Sequence, residues 1–330
     1  MADSSRRLRA AVIGVGYLGR FHAQKYKHLD TVDLVAVVDS SAERAKEIGE
    51  ELGVPGYTDY RKILDQVDLV SISVPTQLHF GITQTCLKAG VHVLLEKPMT
   101  NTLEEADTLI ALAEKKNLVL QVGHLKRFHP AVVALNKSKI LDTPKFIEAQ
   151  RLAPFKSRSL DVDVVMDLMI HDIDLILNFV QSEPVEIEAI GTPVLTKHVD
   201  IANARIKFTN GCIADVTASR IARGTIRNIR LFQNDAYIVL DFPKKEIRLM
   251  QRTEGTMIKD GAEVAAVEES SLPIEDHDTL EVEIAAFVDS VSRGVAPQVS
   301  GRDGRKALDV AIRIREAIAK QSVNGLKWDT

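Results

Sequence analysis

The sequence predicts an α/β fold: a doubly wound parallel sheet, followed by an α+β domain built on a large, mainly antiparallel open sheet. Three observations predict it. Up to Val122, short apolar runs alternate with amphipathic helical stretches, the rhythm of parallel strands joined by crossover helices. A glycine-rich turn, Gly14-Val15-Gly16-Tyr17-Leu18-Gly19, separates the first of these strands from the first helix. After Gly123 the pattern changes to strands of period two, which suits sheets with one covered face. At 330 residues the chain can bury two cores, so residues 1–123 are expected to form the first domain and 124–330 the second.

The elements follow in order. Leu8 to Ile13 is an apolar strand, and a helix runs from the glycine turn through His28. A second strand, Leu34 to Val38, precedes a helix from Ala42 to Leu52. Leu69 to Val74 is the next strand, stopped by Pro75, with Thr76 placed to cap a helix from Gln77 to Ala89. His92 to Glu96 follows the turn residue Gly90 and stops before Pro98, and a helix from Leu103 to Lys116 leads to a last strand, Leu118 to Val122. In the second domain the period-two strands are Phe146–Leu152, Ala204–Phe208, Ile213–Ser219, Ile229–Phe232 and Tyr237–Phe242. Asn210-Gly211 and Asn234-Asp235 are hairpin turns, because both residue types tolerate positive φ. Helices are expected over Asp167–Val180, Leu280–Ser292 and Arg305–Gln321, whereas Thr253–Ser271 has no clear pattern and is expected to be irregular.

Composition narrows the function. A net charge of −4 gives no basic excess for nucleic-acid binding, and no apolar run has the length of a membrane span or signal peptide. A cytoplasmic protein is expected, with a small-molecule substrate and neither nucleic acid nor membrane as partner. The two cysteines, Cys86 and Cys212, lie in helix and strand patterns without metal or disulfide spacing, and are expected as buried thiols.

The glycine turn has physical meaning because of where it lies. Gly14, Gly16 and Gly19 permit a tight turn, close backbone approach to a pyrophosphate, and close helix packing, while the helix start offers unpaired amides, including those near Tyr17 and Leu18. Asp39 ends the second strand at the distance expected of an acid that accepts the adenosine ribose hydroxyls. A dinucleotide-binding Rossmann domain follows, with NAD favoured over NADP because Asp39 repels a 2′-phosphate. Arg44 and Lys46 lie nearby and are expected to face solvent. Thr76 and His79 open a helix at the cofactor edge; His79 is expected either to contact the cofactor or to satisfy a local carbonyl.

Two further clusters point to chemistry. Glu96-Lys97-Pro98 ends a strand where open parallel sheets collect their ligands, so Glu96 and Lys97 are expected beside the cofactor and the Lys97 amine within reach of a substrate. Asp167, His171 and Asp174 recur at helical spacing on one face, which suits an acid–base histidine flanked by carboxylates. Asp167 and His171 could also supply two metal ligands, but no third ligand cluster accompanies them, and no metal is expected.

Together GVGYLG, EKP, the Asp167-to-Asp174 run and Gly123-His124-Leu125-Lys126-Arg127-Phe128 resemble the Gfo/Idh/MocA oxidoreductase family over nearly the whole chain. The resemblance implies that Lys97 is the active-site lysine, His171 the acid–base histidine and Asp167 a substrate-binding acid. It also implies a homodimer or homotetramer. Met169 stands where many members have Gly, and Asp172 where several have an apolar residue. Within the family, the run from Gln150 to His171 resembles dehydrogenases acting at C3 of UDP-N-acetylglucosamine. The cations Arg127, Arg151, Lys156 and Arg158 are expected to hold the pyrophosphate of such a substrate. The expected activity is therefore NAD-dependent oxidation of a secondary sugar hydroxyl. An inositol or free-sugar dehydrogenase, another carbonyl reductase of the same fold, and a catalytically silent NAD-binding sensor are the alternatives.

Overall fold

The computed structural model describes residues 7–156, 162–260 and 262–323. The chain divides into two compact units: the part up to Phe128 with Asp278–Leu308, and His129–His277 with the part from Asp309 on.

The first unit contains β1 (Leu8–Ile13), α1 (Tyr17–His28), β2 (Val32–Val38), α2 (Ala42–Leu52), β3 (Gly56–Tyr57), β4 (Leu69–Ile72), α3 (Thr76–Lys88), β5 (His92–Glu96), α4 (Leu103–Lys115) and β6 (Leu120–Gly123). Its strands form a parallel sheet in the order β3-β2-β1-β4-β5-β6. The order reverses between β1 and β4, which opens a crevice above the carboxyl ends of the strands. Helix ends are set locally. Ser41 accepts from the Arg44 amide to start α2, Gly53 closes it at φ 68°, and Thr102 accepts from Glu105 to start α4. At α3 the expected cap is displaced by one residue: Pro75 holds the cap position and Thr76 is the first helical residue.

The second unit opens with α5 (Pro130–Ser138), where Pro at the first turn and a His129 side chain accepting from Ala131 define a start that the sequence pattern did not reveal. It continues with β7 (Phe146–Leu152), α6 (Ile170–Val180), β8 (Pro184–Thr192), β9 (Ile201–Phe208), β10 (Ile213–Ser219), β11 (Ile226–Phe232), β12 (Ala236–Asp241), β13 (Glu246–Lys259) and β14 (Ala262–Ser271). These strands form one sheet in the order β14-β13-β12-β11-β7-β10-β9-β8. Both predicted hairpin turns join neighbouring strands, β9 to β10 and β11 to β12. The pairing is antiparallel except between β7 and β10, which run parallel. One face carries Ile147, Ala149, Ala214, Val216, Ile229 and Leu231, all buried, with α6 packed on β7 and β10. The other face carries cross-strand pairs such as Arg230 with Glu148 and Arg205 with Asp215.

Thr253–Ser271, expected as irregular, is instead most of the β13–β14 hairpin. Its side chains are mostly exposed on both faces, so no inside-outside alternation marks it, and Gly255 at φ 95° sits where the register shifts.

The sharper correction concerns domain limits. Helix α7 (Thr279–Arg293), expected in the second domain, belongs to the first unit, together with the start of α8 (Gly301–Val323). Ile284, Phe287 and Val288 join Ala10, Val12, Tyr26 and Leu69 in one apolar cluster. Asp278 caps α7 and pairs with Lys25 of α1 at 2.6 Å. Val299 accepts from the Val122 amide at 3.0 Å, and a Cβ on Gly304 would come within 2.6 Å of Val122, so α8 starts directly on β6. Periodicity marks the apolar face of a helix but not the surface that will receive it.

Candidate active site

The glycine turn is built for close approach. Gly14 has φ 85°, and a Cβ there would collide with the Ser73 carbonyl at the end of β4; a Cβ on Gly19 would collide with the Gly14 carbonyl. Nothing lies within 4 Å of a Cβ on Gly16, so that side of the turn is open. Gly16 precedes helix α1 with no side-chain cap and no acid in its first turn, so the positive end of its dipole faces an anion site without an internal carboxylate. Tyr17 is the first helical residue, 73% exposed, with its ring edge-on to Phe21, and Leu18 beside it is half-buried.

Asp39 stands just past β2. One carboxylate oxygen accepts from Val15 N and the other from Ser41 N, both at 3.0 Å, and each oxygen keeps lone pairs for further donors. Arg44 is not solvent-facing as expected: its guanidinium folds back to the Val15 carbonyl at 2.8 Å and the Gly16 carbonyl at 3.5 Å, beside Asp39's own partner. Helical spacing placed it on the outer face, but its length lets it return over the turn. Lys46 does face solvent. These features fit a dinucleotide: an open phosphate turn, a helix start without a side-chain cap and an acid at the ribose position.

The carboxyl ends of β4 and β5 carry the remaining candidates of this unit. His79 is 1% exposed, with Nδ1 2.8 Å from the Pro98 carbonyl and Nε2 2.9 Å from the Val74 carbonyl, so it takes the local-carbonyl role of its two alternatives. Burial pushes its pKa down, opposed by the two carbonyls and nearby Glu96. Glu96 is buried, meets His22 Nε2 at 3.1 Å through Oε1, and accepts the Lys97 amide at 3.2 Å through Oε2. Its carboxylate is thus committed within the protein, and Lys97 beside it is half-buried, with a cis bond to Pro98.

In the second unit, the run Asp167-to-Asp174 is not one uniform helix. A π-helical turn, Val165–Met169, precedes α6. Asp163, unnoticed in the sequence, starts it: Oδ1 accepts from Val165 and Met166 amides at 3.0 Å, while Oδ2 pairs with Arg315 at 2.8 Å. An Asp a few residues before an apolar run is a start signal that could have found it. Asp167 and His171 are both half-buried across the junction, whereas Asp174 is fully buried. Turns of this wider kind concentrate at functional sites because they re-aim the side chains that follow.

Asp172 explains itself through Arg151. The guanidinium donates from Nε and Nη2 to the two carboxylate oxygens at 2.7 and 2.6 Å, with the side chains 3% and 1% exposed. This corrects the expectation that Arg151 helps bind a pyrophosphate: its fork is spent on Asp172, next to His171. Of the other expected cations, Arg127 is 7% exposed in a short helical turn, Leu125–Phe128; Lys156 is exposed; Arg158 lies outside the described residues. Among the described residues, no three His, Cys, Asp or Glu side chains come together as a metal site, and no helix is long and apolar enough to cross a membrane.

Two family models match: the oxidoreductase family with an NAD-binding Rossmann fold, over residues 8–124, and the Gfo/Idh/MocA C-terminal domain, over 145–239. A UDP-N-acetylglucosamine 3-dehydrogenase of Acidithiobacillus ferrooxidans is 40% identical over 94% of this chain and 97% of its own length. The chain belongs to the Gfo/Idh/MocA oxidoreductase family. A solved structure of a UDP-N-acetylglucosamine 3-dehydrogenase from that organism superposes with a TM-score of 0.89 at 39% identity, covering 96% of this chain and 99% of the other. A myo-inositol 2-dehydrogenase of Thermotoga maritima is 25% identical over 95% of the chain and 97% of its own length. Membership makes the protein an NAD-binding oxidoreductase whose Rossmann sheet is the one described above.

Proposed function

We propose that this Gfo/Idh/MocA protein is an NAD-dependent dehydrogenase that oxidises a secondary sugar hydroxyl to a ketone, at C3 of a nucleotide sugar such as UDP-N-acetylglucosamine. The observation that carries this reading is the likeness, over 94% of the chain, to a relative named for that reaction. A silent NAD-binding sensor is disfavoured because Lys97 and His171, both half-buried, have no chemical purpose in one.

Gly14, Gly16, Tyr17, Leu18 and Gly19 would hold the pyrophosphate, Asp39 the adenosine ribose, and Thr76 the edge beyond β4. NAD, when bound, supplies the hydride acceptor. The hydroxyl must also lose its proton, and the His171 imidazole takes it as general base. Lys97 Nζ donates a hydrogen bond to the oxygen as negative charge gathers there. Asp167 accepts from a second hydroxyl and fixes the ring, while Lys156, Arg158 and Arg127 supply charge for the diphosphate.

Substrate choice is checked by following NADH absorbance across free sugars, inositols and UDP-sugars. UDP-N-acetylglucosamine is expected to give the highest kcat/KM. In calorimetry on the NAD-loaded protein it should bind well above free N-acetylglucosamine, and Lys156→Ala or Arg158→Ala should weaken it about tenfold, since charged hydrogen bonds contribute about 1.5–3 kcal/mol. Equal affinity for the free and the UDP-linked sugar would sink the nucleotide-sugar part and leave the dehydrogenase.

Cofactor preference is a separate test. Asp39 at the ribose position favours NAD, yet Arg44 lies over the same turn. The wild-type protein is expected to prefer NAD in kcat/KM. Asp39→Ser should shift the NADP-to-NAD ratio upward by about tenfold or more, because removing the carboxylate leaves the guanidinium to meet a 2′-phosphate. An unchanged ratio would show that Asp39 does not select the cofactor.

A further inference from the structure

Among the polar side chains that the first unit buries and the proposed chemistry does not use are His22, Tyr26, Ser71 and His79. Three of them form a chain, which runs in one sense when Glu96 is ionised and His22 is neutral. Glu96 accepts at both oxygens, from the Lys97 amide at 3.2 Å and from His22 Nε2 at 3.1 Å. With its proton on Nε2, His22 can only accept at Nδ1, where Ser71 Oγ lies 3.1 Å away. Ser71, having given its proton to His22, must accept from Tyr26 OH at 2.9 Å. Burial drives the Tyr26 pKa up, so this hydroxyl keeps the proton it donates. The chain therefore ends on the peptide N–H of Lys97.

Room for it is provided by a missing side chain. Gly123 pairs with Glu96 across β5 and β6, and a Cβ there would lie 2.9 Å from the Glu96 carboxyl carbon. The Glu96 carboxylate occupies that space.

On the other side of Lys97, the carbonyl of Pro98 is met by His79 Nδ1 at 2.8 Å, and the same ring reaches the Val74 carbonyl at 2.9 Å. The ring lies between the turn after β5 and the turn after β4, and its N–H donates to one of these two carbonyls while the other stays within reach of a protonated ring. The peptide atoms flanking Lys97 are held from two helices, by His22 of α1 and His79 of α3.

We propose that His22 and His79 are positioning residues for Lys97, fixing the backbone from which its amine reaches the substrate oxygen. The inference rests on the catalytic reading of Lys97. A lysine amine stands at the end of four flexible carbon atoms, and its aim depends on where the backbone starts. A displacement of about 1 Å can cost about a hundredfold in rate. Neither histidine needs to touch cofactor or sugar to matter.

The test is a double-mutant cycle with turnover and NAD binding read separately. His79→Ala and His22→Leu are expected to lower kcat by about 10- to 100-fold while KM and Kd for NAD change by less than about threefold. In a Lys97→Ala background the His79→Ala change should cost less than about threefold more, since there is no amine left to aim. His22→Gln, whose amide can donate to Glu96 and accept from Ser71, should recover most of the turnover lost in His22→Leu. Should His79→Ala not fold, His79→Gln removes one of the two carbonyl contacts and takes its place in the cycle. Full multiplicative loss in the Lys97→Ala background would overturn the proposal, as would folded histidine variants with wild-type kcat. Wild-type turnover by Lys97→Ala alone would instead overturn the catalytic reading of Lys97.

Discussion

Lys97→Ala and His171→Ala are each expected to lose about a hundredfold or more in kcat while NAD binding survives, the scale for a positioned proton-transfer or oxyanion-stabilising group. The two losses should differ in character. Without His171 the hydroxyl has no base, and turnover should partly return as pH rises and solvent hydroxide takes over. Without Lys97 the oxyanion loses its hydrogen bond at every pH, so the loss should be flat. Neither side chain belongs to an apolar core, and both are half-buried, so folding should be little affected. Steady-state rates with the sugar selected by the substrate panel, alongside NAD titration by fluorescence, read both quantities. Near-normal turnover by either variant removes that residue from the mechanism.

Asp172→Ala should be the most destabilising single substitution near the site, by about 3–5 kcal/mol, because it leaves the buried Arg151 guanidinium without its carboxylate. The cost comes mainly from the stranded charge. The double replacement Arg151→Met with Asp172→Leu should therefore recover most of the loss, although each single change does not. Urea unfolding monitored by circular dichroism gives both values. A loss below about 1 kcal/mol for Asp172→Ala would place the pair among weak surface bridges, contrary to its burial.

Most periodic segments were legible in the sequence to within a residue or two, although β9, β11 and α8 start at Ile201, Ile226 and Gly301, earlier than the expected Ala204, Ile229 and Arg305. β1, α2, β7 and β10 keep the limits that alternation and caps predict. The glycine turn, Asp39 and the Glu96-Lys97-Pro98 turn were legible because strand-end chemistry needs specific residue types at fixed places. What escaped was tertiary. The β13–β14 hairpin is wetted on both faces and so writes no pattern. Arg44 could be placed on a helix face but not seen to bend back to Val15. His22 looks like any polar residue on α1, and its role depends on Ser71 and Glu96, which are brought to it by two other strands. Asp172 stood out as unusual for the family, yet its partner Arg151, twenty-one positions away on β7, was read as a substrate cation rather than as its ion-pair partner.

The placement of α7 on the Rossmann core has a consequence for biosynthesis. A ribosome that has released β1 through β6 has made every strand of the parallel sheet, but not Ile284, Phe287 or Val288, which close its apolar cluster. The nucleotide-binding half therefore cannot finish first in the amino-to-carboxyl order usual for tandem domains. It must wait, with part of its core uncovered, while the whole β7–β14 sheet is translated. The nascent chain spends that interval with apolar surface exposed, and only the arrival of α7, which begins at Thr279, turns a sheet that can be recognised into one that is stable.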